Sequence, residues 1–295
     1  MENFAEQSIG GEIMTTKAPI RWYGGKSSQT LKIVPLLESV PHKRYIEPFG
    51  GSAAILLAKT PVSSETYNDL NSGLYSLFTV LSDDKLFKSF MKKIRALPYS
   101  YQMWHEADEK QGNDDVVMRA VYFFILLRQG FGGQADGWGY GVSKGETNNY
   151  WPAVSRLSSV HKRLKYVQVD NRDFRLLLRT HDNPDALFYL DPPYVMDTRK
   201  GGTRYTHEMT NDDHQQLVDL LLSGSSHYVL SGYEHDLYAP LVRNGWHVIR
   251  WETVSWGANA RAVSEARGKR TECLYIAPAT WQAICKVTPQ QLSLF

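Results

Sequence analysis

The chain has 295 residues, 42% hydrophobic and 22% charged, enough to bury a sizeable core as one large domain or as a domain with an insertion. No apolar run approaches the length of a membrane span, and two cysteines, Cys273 and Cys285, are too few for a disulfide framework or a zinc cluster, which fits a reducing compartment. A net charge of +2 neither requires nor excludes nucleic acid, so any surface for it must be a local patch.

Residues 1–16 show little hydrophobic periodicity and read as a flexible leader. Next, Trp22, Tyr23, Gly24, Gly25 and Lys26 place uncovered backbone beside a cation, which suits an anionic or carboxylate-bearing ligand. An apolar-periodic helix is predicted over 31–37. A Gly-Gly turn before a helix is common, so this signal alone is weak. Residues 45–52 say more: a short strand ending in Glu47, Pro48 and Phe49, a turn at Gly50 and Gly51, then a helix over 53–59. Glycines in such a strand–turn–helix unit let the backbone approach a nucleotide-type ligand. The three spaced glycines of the dinucleotide fingerprint are missing, which points away from NAD and towards another adenosine-bearing cofactor. Asp69, at the end of a second strand, is spaced to accept both ribose hydroxyls. Its plainer role, a helix N-cap, is compatible with that one.

Between about 74 and 161 the alternation of strand and helix stops. Helices are predicted over 84–97 and 115–128, the second capped by Asp114 or Asp115. A glycine-rich loop then runs to Trp151, and a loop of that length rarely persists without a use. Around it Arg95, Arg128 and Lys144, with Lys92 and Lys93, supply cations, while Gln129, Gln134, Asn148 and Asn149 carry groups that can read base edges. Lysines and arginines of this kind mostly form a solvated helix face.

The rhythm resumes with strands over 166–169 and 186–190, the first followed by Asp173 and Phe174, and over 227–230 after a helix at 212–222. The last two strands, 247–251 and 272–276, have no clear helix between them and are expected to pair antiparallel. Strand 186–190 is continuously apolar, as a strand covered on both faces is, and it ends in Asp191, Pro192, Pro193 and Tyr194. An amino group conjugated to a ring is a poor nucleophile, because its lone pair is delocalised. A carboxylate from Asp191 and the Pro192 carbonyl can accept its two N–H bonds and stabilise the charge that grows on attack, while Tyr194 offers a stacking face. The bland alternative is a strand-to-loop corner. Two basic loops follow: 196–209, with Arg199, Lys200, Arg204 and Tyr205, and 257–270, each a phosphate contact or a plain surface loop.

Trp-Tyr-Gly-Gly-Lys, Glu-Pro-Phe-Gly-Gly-Ser, Asn-Asp-Leu-Asn, Asp-Phe and Asp-Pro-Pro-Tyr stand in this order, and over roughly 20–276 the chain resembles the Dam-type, D12-class adenine-N6 DNA methyltransferases. The resemblance implies a doubly wound, mostly parallel, Rossmann-like α/β sheet with an antiparallel terminal strand pair and a mainly helical target-recognition insertion. The catalytic domain would comprise 17–74 and 161–282, the insertion 75–160. It implies S-adenosyl-L-methionine as cofactor, held by Trp22, Tyr23, Gly24, Lys26, the turn from Glu47 to Gly51, Asp69, Asp173, Phe174 and Asp191. Asp191, Pro192, Pro193 and Tyr194 would be catalytic, acting without a metal on an adenine flipped out of double-stranded DNA. The stretch 128–140 departs from the Arg-x-Asn-rich pattern of GATC readers, which leaves the recognition sequence open. RNA or protein-glutamine methylation, or a DNA-binding module without catalysis, are the other readings; Asp191, where glutamine enzymes usually carry Asn, favours adenine.

Residues 283–295 read as a flexible tail ending in Gln291, Leu292, Ser293, Leu294 and Phe295. Apolar side chains at a free terminus make good anchors, and this ending is similar to the short motif by which bacterial replication and repair proteins bind the DNA sliding clamp. A tail packed on its own domain is the alternative. A bacterial cytoplasm or a phage-infected cell, at the DNA, is the expected location.

Overall fold

The computed structural model describes residues 16–130, 137–139, 146–198, 207–254 and 269–287. Among the described residues seven strands are formed: β1 (Arg44–Glu47), β2 (Ser64–Asn68), β3 (Val167–Asp170), β4 (Ala186–Leu190), β5 (His227–Tyr233), β6 (His247–Val254) and β7 (Lys269–Ile276). They make one sheet in the order β3-β2-β1-β4-β5-β7-β6. The first five are parallel, and β7 lies antiparallel between β5 and β6. The chain winds outward from β1 to β3 and then returns to place β4 on the other side of β1. That reversal opens a crevice at the carboxyl ends of β1 and β4, where ligands bind in sheets of this kind. The expected doubly wound sheet with an antiparallel terminal pair is the observed one.

Alternation explains how the sheet is covered. Tyr45, Leu187 and Tyr189 enter one apolar cluster, whereas Ile46, Phe188 and Leu190 enter another on the opposite face. All five residues of β4 are buried, as the unbroken apolar run required. β5 is longer than expected. Ser231, Gly232 and Tyr233 stay in the strand because β7 offers them Leu274, Cys273 and Glu272 as partners.

The helices are α1 (Thr30–Glu38), α2 (Ala54–Ala58), α3 (Ser72–Ser82), α4 (Asp84–Ala96), α5 (Tyr101–Glu109), α6 (Val116–Gln129), α7 (Glu146–Leu164), α8 (Phe174–His181), α9 (Asn211–Ser223), α10 (Ala239–Arg243) and α11 (Pro278–Val287). Asp115 caps α6, its side chain accepting from Met118 N–H. α3 is capped by Asn71 and not by Asp69; the Asn71 side chain accepts from the amides of Gly73 and Leu74. The glycine-rich loop expected to reach Trp151 stops by Glu146, where α7 begins. Pro152 and the neighbouring asparagines hide that helix, yet Tyr150, Val154, Leu157, Val160 and Leu164 are buried at helical spacing. α3, α6 and α7 share the first apolar cluster with the sheet, so the helices between β2 and β3 are packed against the same core as the strands. α11 carries regular structure across position 283. No described helix is long and apolar enough to cross a membrane.

Candidate active site

The crevice holds a cavity of about 440 Å³, a size suited to a small organic ligand. Its floor is the turn between β1 and α2. Gly51 takes a left-handed φ of 49°, and an added Cβ there would stand 2.9 Å from the Trp22 ring. At Gly50 an added Cβ would lie 2.2 Å from the Tyr67 ring. Neither glycine leaves room for a side chain against these rings, so the turn presents bare backbone in the cavity lining. Ala53 follows with φ of 56°, a left-handed value that costs a non-glycine residue about 1 kcal/mol and is typical of ligand-binding turns.

Three strand ends are stitched together by Asn68. Its amide donates to the carbonyls of Pro48 at 2.8 Å and Arg172 at 2.9 Å, and its oxygen accepts from Arg172 N–H at 2.7 Å. The next residue, Asp69, turns its carboxylate to the cavity rim, accepting from Gly51 N–H at 3.0 Å and Asn71 N–H at 2.8 Å. Burial pushes its carboxyl up to about 6, against the pull of those two amides. Asp173 caps α8 through Arg175 N–H and pairs with the Arg175 guanidinium at 2.8 Å. Phe174, buried beside it, packs on Phe49 with ring centres 5.4 Å apart. The cavity wall is therefore apolar on that side and anionic at its edge.

Opposite lies the charged cluster. Lys26 is 5% exposed, and its ammonium donates to both Asp191 oxygens, at 2.6 and 2.7 Å, and to the Gly24 carbonyl at 3.1 Å. Burial pulls the ammonium down, but Asp191 and Glu272 more than offset this and hold it above the usual lysine value. Both carboxyls are raised by burial, with Lys26 drawing each back. A single ammonium cannot fully compensate two buried carboxylates. Glu47, also buried, is pushed up to about 8 by burial, while the Tyr45 hydroxyl donates to it at 2.7 Å.

Every residue expected around a cofactor lines this cavity: Trp22, Tyr23, Gly24, Lys26, Glu47, Pro48, Phe49, Gly50, Gly51, Asp69, Asp173, Phe174 and Asp191. Of the expected catalytic residues Asp191 and Pro193 line it, whereas Pro192 and Tyr194 do not. Sequence reasoning passed over Tyr189, His207, Met209 and Asp213, which also line it. Tyr189 had a signal, since it is the one aromatic hydroxyl in the apolar run of β4. His207 and Met209 close the basic loop 196–209 and Asp213 lies in the first turn of α9; none of the three was singled out.

The expected DNA-contacting residues fare differently. Arg95 is exposed at the end of α4. The Arg128 guanidinium donates to the Pro19 carbonyl at 2.8 Å, tying α6 to the segment before Trp22. Gln129 is fully buried, its amide bonded to Ser100 N–H and the Pro98 carbonyl, each at 3.2 Å, so it braces the insertion and presents no edge to a base. Asn148 belongs to α7. Gln134, Lys144, Arg199, Lys200, Arg204, Tyr205 and the tail Gln291, Leu292, Ser293, Leu294 and Phe295 lie outside the described residues.

A mostly parallel sheet with β7 inserted antiparallel, and a cavity at the reversal point, define a Rossmann-like methyltransferase. Residues 22–251 match the family described as D12 class N6 adenine-specific DNA methyltransferase, and the chain belongs to that family. Among curated proteins it is similar to the Type II methyltransferase M.MjaIII of Methanocaldococcus jannaschii, 27% identical over 68% of this chain and 78% of that protein. It is also similar to the Retron Ec67 DNA adenine methylase of Escherichia coli, 26% identical over 77% of this chain and 81% of that one. The protein is an adenine-specific DNA methyltransferase: it moves a methyl group from a donor to N6 of adenine in DNA.

Proposed function

We propose that the methyl donor is S-adenosyl-L-methionine, that it occupies the cavity between β1 and β4, and that the target adenine enters beside it after flipping out of the duplex. The observation that carries this is Asp191, a carboxylate held at the end of β4 on the wall of a cavity with an aromatic pocket and a second carboxylate, Asp69, at its far rim. The residues fit such a donor. Phe49 and Phe174 make an apolar wall for an adenine ring to pack on, Asp69 stands where ribose hydroxyls can donate to it, and the bare turn at Gly50 and Gly51 admits the chain of the donor. When bound, the donor supplies an electrophilic methyl on a sulfonium. Asp191 and the Pro192 carbonyl accept the N–H bonds of the adenine amino group, concentrating its lone pair and countering the positive charge that develops on nitrogen. Tyr194 stacks on the base.

On the same reading 17–74 and 161–282 form the catalytic unit and 75–160 the target-recognition unit. Arg95, Arg128, Gln134, Lys144 and Asn148 in the recognition unit, and Arg199, Lys200, Arg204 and Tyr205 in the catalytic unit, are the DNA-contacting candidates. The tail Gln291, Leu292, Ser293, Leu294 and Phe295 would anchor the enzyme to a DNA sliding clamp in the bacterial cytoplasm or an infected cell. Deleting those five residues should abolish capture by immobilised clamp and spare methylation of short duplexes. Capture that survives the deletion overturns the tether.

Single-molecule sequencing of modified bases in DNA from a methylation-free host expressing the chain tests the main reading. N6-methyladenine confined to one sequence context supports it. Unmodified DNA, with folded protein that fails to bind labelled S-adenosyl-L-methionine, overturns it.

A further inference from the structure

β7 contributes no side chain to the described lining of the cavity, yet it aims one carboxylate towards the reaction end of it. Glu272 is 2% exposed and precedes Cys273, Leu274, Tyr275 and Ile276, all buried and apolar or aromatic. A buried carboxylate on such a strand is costly unless something repays its lost hydration. Three groups do so. The Tyr194 hydroxyl donates to Oε1, the Gln29 side chain hydrogen-bonds to it, and the Lys26 ammonium lies 3.9 Å away. Tyr233, opposite Glu272 in the sheet, packs edge-on against the Tyr194 ring at 4.6 Å, and Lys26 sits 4.9 Å from the centre of that ring. Tyr194 is thus held on one side by Glu272 and on another by Tyr233.

The cluster contains a conflict. Asp191 is the acceptor for the adenine amino group in the reading above, on which this inference rests, yet both of its oxygens already accept from Lys26. An ammonium bound to both oxygens competes with the incoming N–H groups and weakens the pull on the lone pair. It cannot simply leave, because a buried cation without a counter-ion is far worse. Glu272 offers the nearest second anion. We propose that Glu272 is a positioning residue for methyl transfer: it takes a share of the Lys26 ammonium when Asp191 turns an oxygen to the adenine, and through Tyr194 it fixes the ring against which that adenine stacks.

The two halves of this role separate by substitution. Glu272→Gln keeps an oxygen that can accept from Tyr194 and removes the charge, whereas Glu272→Asp keeps the charge. With labelled donor and a cognate duplex, Glu272→Gln should lower kcat at least tenfold, with the dissociation constants for donor and DNA within about twofold of the parent. Glu272→Asp should retain at least fivefold more turnover than Glu272→Gln. A purely structural brace predicts that Glu272→Gln restores full kcat, and kcat within twofold of the parent overturns the proposal. Should Glu272→Gln not fold, Glu272→Met replaces it in the comparison with Glu272→Asp, and equal turnover of those two overturns the proposal as well. Asp191→Asn measured alongside separates the layers. If it turns over normally, the Asp191 assignment falls and the counter-ion role with it. If it is inactive while Glu272→Gln is normal, only the counter-ion role falls.

Discussion

Lys26 and Asp191 form a two-pronged ion pair across 165 positions of sequence, the ammonium 2.6 and 2.7 Å from the two carboxylate oxygens. The pair joins the glycine turn before α1 to the end of β4, so a segment that lines the cavity and the proposed catalytic residue are held by the same bond. Replacing Asp191 with Asn keeps the volume, but it weakens the acceptor and leaves Glu272 as the anion beside Lys26. Turnover should fall by a factor of about 100 to 1000, the scale expected when one preorganised electrostatic group is lost from a transition state. Far-ultraviolet circular dichroism should be unchanged. A methyl-transfer assay that finds near-parental kcat would remove Asp191 from the chemistry.

Asn68 is the structural counterpart of that pair. It is fully buried and uses both of its amide hydrogens and its oxygen to join the ends of β1, β2 and β3. Asn68→Ala leaves two carbonyls and one N–H without partners in a place water reaches poorly. The expected loss of stability is about 3 kcal/mol, since each buried unsatisfied group costs about 1 to 3 kcal/mol and part of the loop relaxes. Urea denaturation monitored by tryptophan fluorescence measures it. A loss below about 1 kcal/mol would mean that the three strand ends hold together without this residue.

What could be read from the sequence divides along a physical line. Strand ends and their glycine turns were legible, because an apolar run must end somewhere and glycine marks a close approach. Asp191, Asp69 and the Gly50-Gly51 turn all line one cavity. Glu272 and Gln129 were not legible, since each depends on a partner brought in from elsewhere. Glu272 is answered by Lys26 and Tyr194, and Gln129 by Pro98 and Ser100. A buried polar residue looks the same in sequence as an exposed one until its partners are known. α7 failed for another reason: Pro152 and two asparagines outweighed an apolar spacing that was present all along.

The turn itself can be tested by filling it. An added Cβ at Gly50 would stand 2.2 Å from the Tyr67 ring, whose hydroxyl donates to the Gly51 carbonyl at 2.8 Å. Gly50→Ala must push that ring away, and the cost of such overpacking is about 1 to 3 kcal/mol. Binding of S-adenosyl-L-methionine should weaken at least tenfold as the turn shifts into the cavity. Gly112→Ala, where nothing lies within 4 Å of the new methyl, is the control and should change neither quantity. Unchanged donor affinity in a folded Gly50→Ala protein would show that the turn does not touch the donor.

On the proposed reading, Asp69 should make the donor's affinity depend on pH in a direction opposite to its effect on stability. Burial raises its carboxyl from the ordinary 3.8 to about 6, against the pull of the amides of Asn71 and Gly51 and of His207. The folded protein therefore holds this proton more tightly than the unfolded chain. Its contribution favours folding below about pH 4 and is lost as pH rises through about 6. Donor binding runs the other way. A ribose hydroxyl must donate to an ionised carboxylate, so affinity should climb about tenfold per pH unit up to about 6 and then level off. Equilibrium binding of labelled S-adenosyl-L-methionine between pH 5 and pH 8 reads this limb directly, and Asp69→Asn should flatten it while weakening binding at neutral pH. A parental profile with no bend near pH 6, or an Asp69→Asn profile that keeps one, would take the ribose away from Asp69 and leave it as a brace between the Gly51 and Asn71 amides.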